Sequence, residues 1–116
     1  MELQIIKTEG YVKGETCKQE PVFTNDNDTL IKCTPNGQKT IIIPKGIKTI
    51  GKACFAGTNV EEVVLPEGIE TIDSDAFNFC TKLRKINFPE TLKVIGHGAF
   101  KGCFFLETVI LPNTMK

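Results

Sequence analysis
The chain has 116 residues, 41% of them hydrophobic and 24% charged, a composition that suits one ordered domain and excludes a disordered chain. Fourteen Lys and Arg are balanced by fourteen Asp and Glu, so there is no net field to gather polyanions, and nucleic acid and anionic membrane drop out as general partners. No run approaches the roughly 18 apolar residues of a membrane span, so no membrane insertion is expected.

In chain order, residues 1–20 lack the apolar core and small-residue cleavage site of a signal peptide. With Met1 as the natural start the protein is expected in the cytoplasm; a removed signal peptide would place it at the cell surface or outside the cell. Residues 1–43 read as an N-terminal β-hairpin cap. Two turn-forming clusters, Asn25-Asp26-Asn27-Asp28 and Pro35-Asn36-Gly37, separate strand-like runs there. Leu3, Ile5, Tyr11, Val22 and Phe23 are available to cover an apolar end.

From residue 44 the sequence repeats itself. Pro44, Pro66, Pro89 and Pro112 stand 22, 23 and 23 residues apart, a period that marks a stacked repeat. The copies are 44–65, 66–88 and 89–111, with a partial one at 112–116. Four apolar columns recur: Ile47, Ile69 and Leu92; Ile50, Ile72 and Ile95; Phe55, Phe77 and Phe100; Val60, Leu83 and Leu106. Val63–Leu65, Ile86–Phe88 and Val109–Leu111 read as brief strands closed by proline. The segment around each Phe is too short for a regular helix and suits one helical or 3-10 turn. Since no copy can bury its own columns, the copies must stack at about the 4.8 Å strand spacing.

These residues resemble the BspA-type leucine-rich repeat family, through the pattern I-P-x-x-[IL]-x-x-I-G-x-x-A-F-x-x-C-x-x-L-x-x-[IV]-x-[LF]-P, which spans Ile43 to Thr114. The first copy departs from it: Cys54 sits in the Ala column, Thr58 replaces the Cys of Cys80 and Cys103, and one residue is missing before Val60. The resemblance implies a leucine-rich-repeat solenoid, β-rich with short helical or 3-10 turns, in which the hairpin cap is followed by about three stacked repeats. It also implies a family whose members are often surface or secreted adhesion proteins.

Catalytic chemistry is not in view. His97 is the single histidine, in a position matched by Lys52 and Ser74, so it reads as a solvent-facing variable residue rather than the partner of Cys103 or Cys80 in a nucleophilic pair. No phosphate-loop, hydrolase or zinc-protease motif occurs, so no catalytic residue, cofactor or metal is assigned. Five cysteines, Cys17, Cys33, Cys54, Cys80 and Cys103, form no CxxC pair and no even framework, which points to reduced thiols. Cys17, flanked by polar residues, is the thiol expected to be most exposed. Lys48, Glu70 and Lys93 share one column, and Lys45, Glu67 and Glu90 another; both read as a solvated face.

Strand alternation turns Ile42, Val64, Asn87 and Ile110 outward if Val63, Leu65, Ile86, Phe88, Val109 and Leu111 face the core. Thr40, Glu62, Lys85 and Thr108 flank them on the same face. An apolar strip with a polar rim is the composition of a protein-binding surface. The first reading is therefore a non-enzymatic interaction module that offers this face to a protein partner. Other readings are a small intracellular inhibitor or adaptor, of viral or mobile-element origin, capping a larger enzyme, and a self-assembling or adhesive element. The last is motivated by the lack of a cap after Leu111, which would make a homo-oligomer through that end.

Overall fold
In the computed structural model, residues 20–112 are described. Leu3, Ile5, Tyr11 and Cys17, and residues 113–116 of the partial copy, on which several sequence expectations rest, lie outside the described residues. The strands are β1 (Val22–Asp26), β2 (Thr29–Thr34), β3 (Thr40–Ile42), β4 (Thr49–Ile50), β5 (Glu62–Val64), β6 (Thr71–Ile72), β7 (Lys85–Asn87), β8 (Val94–Ile95) and β9 (Thr108–Ile110).

They assemble into a β-solenoid with two ladders. One sheet has the order β3-β5-β7-β9 and is wholly parallel. The other has the order β1-β2-β4-β6-β8, in which the hairpin β1-β2 is antiparallel and every further pairing is parallel. Each coil thus contributes one strand to each sheet. Residue 40 pairs with 62, 62 with 85, and 85 with 108, so the 22- and 23-residue period seen in the sequence is the register of the stack. The hairpin joins the stack through β2, with Thr29 opposite Thr49 and Leu30 opposite Ile50.

The core is made of the repeated columns. Ile47 and Ile69, Ile50 and Ile72, Phe55 and Phe77, and Val60 and Leu83 are all buried, which burial of β-branched and aromatic side chains explains at about 25 cal/mol per Å² of apolar surface. The phenyl rings form a ladder: Phe55 and Phe77 lie 4.9 Å apart at 13°, and Phe77 and Phe100 lie 5.2 Å apart at 2°. From the hairpin, Leu30 and Cys33 are buried, Phe23 packs against the core, and Val22 is exposed.

Two local expectations differ from the structure. The strands begin one residue before the apolar runs, at Glu62, Lys85 and Thr108, because the ladder is set by paired main chains and not by side-chain hydrophobicity. The Phe-bearing segments form successive turns, and no helix occurs among the described residues. Alternate amides explain this. Cys54, Ala56 and Thr58 donate to the carbonyls three residues back, at 3.0–3.2 Å, while Ala53, Phe55 and Gly57 donate to Ser74, Ala76 and Asn78 of the next coil. A helix would send every amide along its own axis. The alternation is achieved by left-handed backbone at two columns, Ala53, Asp75 and Gly98, then Gly57, Phe79 and Gly102.

Candidate functional site
The outer face of the β3-β5-β7-β9 sheet gathers all eight residues singled out in the sequence. Thr40, Glu62, Lys85 and Thr108 form one row by direct pairing. In the next row, Ile42 stands opposite Val64 and Asn87 opposite Ile110. The alternation that turns these outward also buries Ile41, Val63 and Ile86 between them. Ile42 is 68% and Ile110 47% exposed, while Val64 is half-buried. Val109 and Leu111, expected in the core, occupy the inward columns yet are exposed, because no described coil lies beyond them.

Charge lies along the rim. Lys85 Nζ is 3.9 Å from Glu62 Oε2. One residue upstream, Glu61 sits between Lys39 at 3.8 Å and Arg84 at 3.9 Å. All five side chains keep substantial exposure, so each pair contributes about 0–1 kcal/mol. The sequence reading did not single out Lys39, Glu61 and Arg84, and placed its charge columns at Lys48-Glu70-Lys93 and Lys45-Glu67-Glu90. Among the described residues the ion pairs form instead at the first strand residues, Glu62 and Lys85, and one residue upstream of them. A strand register one residue earlier would have exposed that row in the sequence.

Asn87 behaves unlike its neighbours. Its side-chain Nδ2 donates to the Leu65 carbonyl at 2.9 Å, and its Oδ1 accepts from the Leu65 amide at 2.6 Å. At the equivalent rungs the main chain makes the bond: Ile43 N donates to Val64 O, and Phe88 N to Ile110 O. The Asn87 amide therefore replaces a main-chain rung, and the pairing of β5 with β7 ends at Val63 and Ile86. A shallow depression of about 280 Å³ opens there, lined by Glu62, Val63, Val64, Lys85, Asn87 and Ile110. A second depression, of about 440 Å³, lies on the loop side among Asn36, Lys39, Asn59, Glu61 and Lys82. It borders the coil that is one residue short.

The thiols are structural. Cys80 Sγ donates to Phe55 O at 3.0 Å and Cys103 Sγ to Phe77 O at 3.1 Å, each reaching back one coil. Thr58, which replaces cysteine in this column, lies 3.6 Å from Cys80 Sγ. Cys33, Cys54, Cys80 and Cys103 are all free. Burial pushes the Cys33 thiol up to about 11, Cys54 to about 12 and Cys103 to about 11, with Cys33 adding to the rise at Cys54 and Cys80 to that at Cys103. Cys80 is raised by the same cause. Such thiols carry almost no nucleophilic thiolate near neutral pH. His97 is exposed and engages Asp75 N through its own carbonyl, so the structure does not assemble the Cys-His pair. Among the described residues no group of three or more His, Cys, Asp or Glu is placed to hold a metal ion, and no helix is long and apolar enough to cross a membrane.

Comparison with curated proteins gives no match. Among solved structures, a leucine rich cell surface protein from Faecalibacterium prausnitzii A2-165 is similar at 16% identity, covering 81% of this chain and 38% of that one, with a TM-score of 0.34. The chain thus spans well under half the length of that protein. A family model described as "BspA type Leucine rich repeat region (6 copies)" matches residues 32–116, which takes in the parallel strands from β3 to β9. The chain belongs to the BspA-type leucine-rich repeat family.

Proposed function
We propose that the protein is an interaction module that binds a protein partner across the outer face of the β3-β5-β7-β9 sheet, with Ile42, Val64 and Ile110 as the apolar contacts and Thr40, Glu62, Lys85 and Thr108 as the rim. Leucine-rich-repeat families are generally non-catalytic, and repeat solenoids offer extended rigid surfaces to other proteins. The observation that carries the reading is the juxtaposition of exposed Ile42 and Ile110 with Val64 on a sheet whose other face is the core. Asn87, whose amide is committed to Leu65, serves this face by shaping the depression. The same face suits a surface protein or an intracellular adaptor or inhibitor of a larger enzyme, and fractionation of the untagged protein separates these.

The direct test is affinity capture from the native source, with the Val64→Lys/Ile110→Lys double variant as control. The partner should be lost with the variant while the circular dichroism spectrum stays unchanged. Capture that survives in the double variant would remove this face from consideration. A second reading, homo-oligomerisation, is favoured by the exposure of Val94, Ile95, Val109 and Leu111 on the third coil. Sedimentation showing a monomer at high concentration would eliminate it.

A further inference from the structure
The broken rung on the outer sheet face leaves a main-chain group unused. Val64, Asn87 and Ile110 hold the same position in successive coils. The Val64 carbonyl accepts from Ile43 N at 3.0 Å and the Ile110 carbonyl from Phe88 N at 2.9 Å. The matching donor for the Asn87 carbonyl would be Leu65 N, but that amide is taken by Asn87 Oδ1 at 2.6 Å. Among the described residues no other group donates to the Asn87 main-chain oxygen. Asn87 is half-buried, so a partner that displaced water from this oxygen without replacing the hydrogen bond would lose affinity.

The depression of about 280 Å³ opens at this rung. Val63, Val64 and Ile110 make its lining mainly apolar, and the ion pair of Glu62 with Lys85, at 3.9 Å, contributes the rest together with Asn87. The site thus combines apolar walls with one acceptor that has no donor.

That combination narrows what fits. A purely apolar side chain would cover the carbonyl and leave it unpaired. A carboxylate brings no donor and meets Glu62. A cationic side chain meets Lys85 and gives up hydration against Val64 and Ile110. An aromatic side chain with an apolar body and a donor at its tip satisfies both parts of the site, and tyrosine and tryptophan are the residues of that kind.

We infer that this depression is the anchor point of the strand face. It takes one tyrosine or tryptophan side chain of the partner, whose O–H or N–H donates to the Asn87 carbonyl. The inference rests on the reading of the β3-β5-β7-β9 face as the binding face and names the side chain that this face selects. Asn87 then acts twice: its amide holds Leu65, and by doing so it frees its own main-chain oxygen for the partner.

The experiment is an NMR titration of the isotope-labelled full chain at pH 7 with p-cresol, the side-chain analogue of tyrosine, and with 4-methylanisole, which has its hydroxyl methylated and cannot donate. p-Cresol should bind with a Kd of about 1–10 mM, shift the amides of Val64, Leu65 and Ile110, and move the carbonyl-carbon resonance of Asn87. 4-Methylanisole should bind about threefold to tenfold more weakly and leave that carbonyl unmoved. Ile110→Ser, which removes one wall at an exposed position, should weaken p-cresol at least about threefold with the rest of the amide spectrum unchanged. Equal binding of the two probes, an Asn87 carbonyl that p-cresol does not move, or shifts centred away from the depression would overturn the inference. Tighter binding of n-butylammonium than of p-cresol would overturn it too and assign the depression to a cationic side chain. The probes need no partner, so their failure removes the anchor and leaves the strand face itself to be judged by the capture experiment with Val64→Lys/Ile110→Lys.

Discussion
Replacing Phe77 by alanine removes the middle rung of the aromatic ladder. The ring is fully buried and stacked on both faces, 4.9 Å from Phe55 and 5.2 Å from Phe100. Truncation of a buried phenylalanine costs about 3–5 kcal/mol, the spread reflecting how far the site collapses. Collapse is blocked here, because Phe55 N to Ala76 O and Phe77 N to Ala99 O, both 2.7 Å, pin the backbone on either side of the gap. Two stacked contacts are lost as well, each about 0.5–1.5 kcal/mol beyond area, so the expected loss is at the upper end, about 4–5 kcal/mol. Phe100 is only partly buried and has a parallel ring on one face, so Phe100→Ala should cost about half as much. The chain has no Trp and one Tyr, which makes urea denaturation followed by far-UV circular dichroism the suitable assay. Should Phe77→Ala leave no folded baseline, Phe77→Leu gives a smaller, measurable loss. A loss below about 2 kcal/mol for Phe77→Ala, or an equal loss for Phe100→Ala, would refute the argument that the ladder is rigid.

Gly51→Ala would place a Cβ 2.5 Å from the Leu30 carbonyl oxygen, whose bond with Gly51 N joins the hairpin to the first coil; a loss of about 1–3 kcal/mol is expected, and an unchanged melting curve would contradict it. Asn87→Ala removes both bonds to Leu65, with an expected cost of about 1–3 kcal/mol and faster hydrogen exchange at the Leu65 amide; unaltered exchange there would show that the main chain closes the rung unaided. Cys33 and Cys54, raised to about 11 and about 12 by burial, should resist a disulfide reagent at pH 8 and react once the chain is unfolded in urea. Their folded pKa values lie above those of the unfolded chain, so the stability they protect is present below about pH 9 and is lost as the pH rises toward 11–12. The urea midpoint should therefore fall between pH 8 and pH 10.5, less so in Cys54→Ala, and a fall of the same size in that variant would exclude the thiol.

The period and the core columns were legible because stacking demands like over like: Phe55, Phe77 and Phe100 can form a ladder only if they recur at the same place. The second sheet was not legible. Its coil strands, β4, β6 and β8, are two residues each, too short for alternation to register, and they are strands only because neighbouring coils hydrogen-bond them. The turns were misread for a related reason. Ala53 and Asp75 carry left-handed backbone without being glycine, so the residue types gave no sign of the break that keeps the segment from coiling into a helical turn. On the outer face, alternation turns Ile42, Val64 and Ile110 outward, but the capture of Leu65 by the Asn87 amide depends on a neighbour 22 residues away and has no local signature.

The hydrogen bonds of both ladders run from coil to coil, whereas the covalent chain passes from one coil to the next once per turn, at Leu65-Pro66 and again at Phe88-Pro89. Integrity of the body and continuity of the chain are thus carried by different bonds. A protease that cuts after exposed Lys82 severs the chain at the turn edge, yet the segments on both sides of the cut remain paired with the coils above and below them. Nicking would show on a denaturing gel and pass unnoticed in solution, so the folded body would outlast the continuity of the chain that built it.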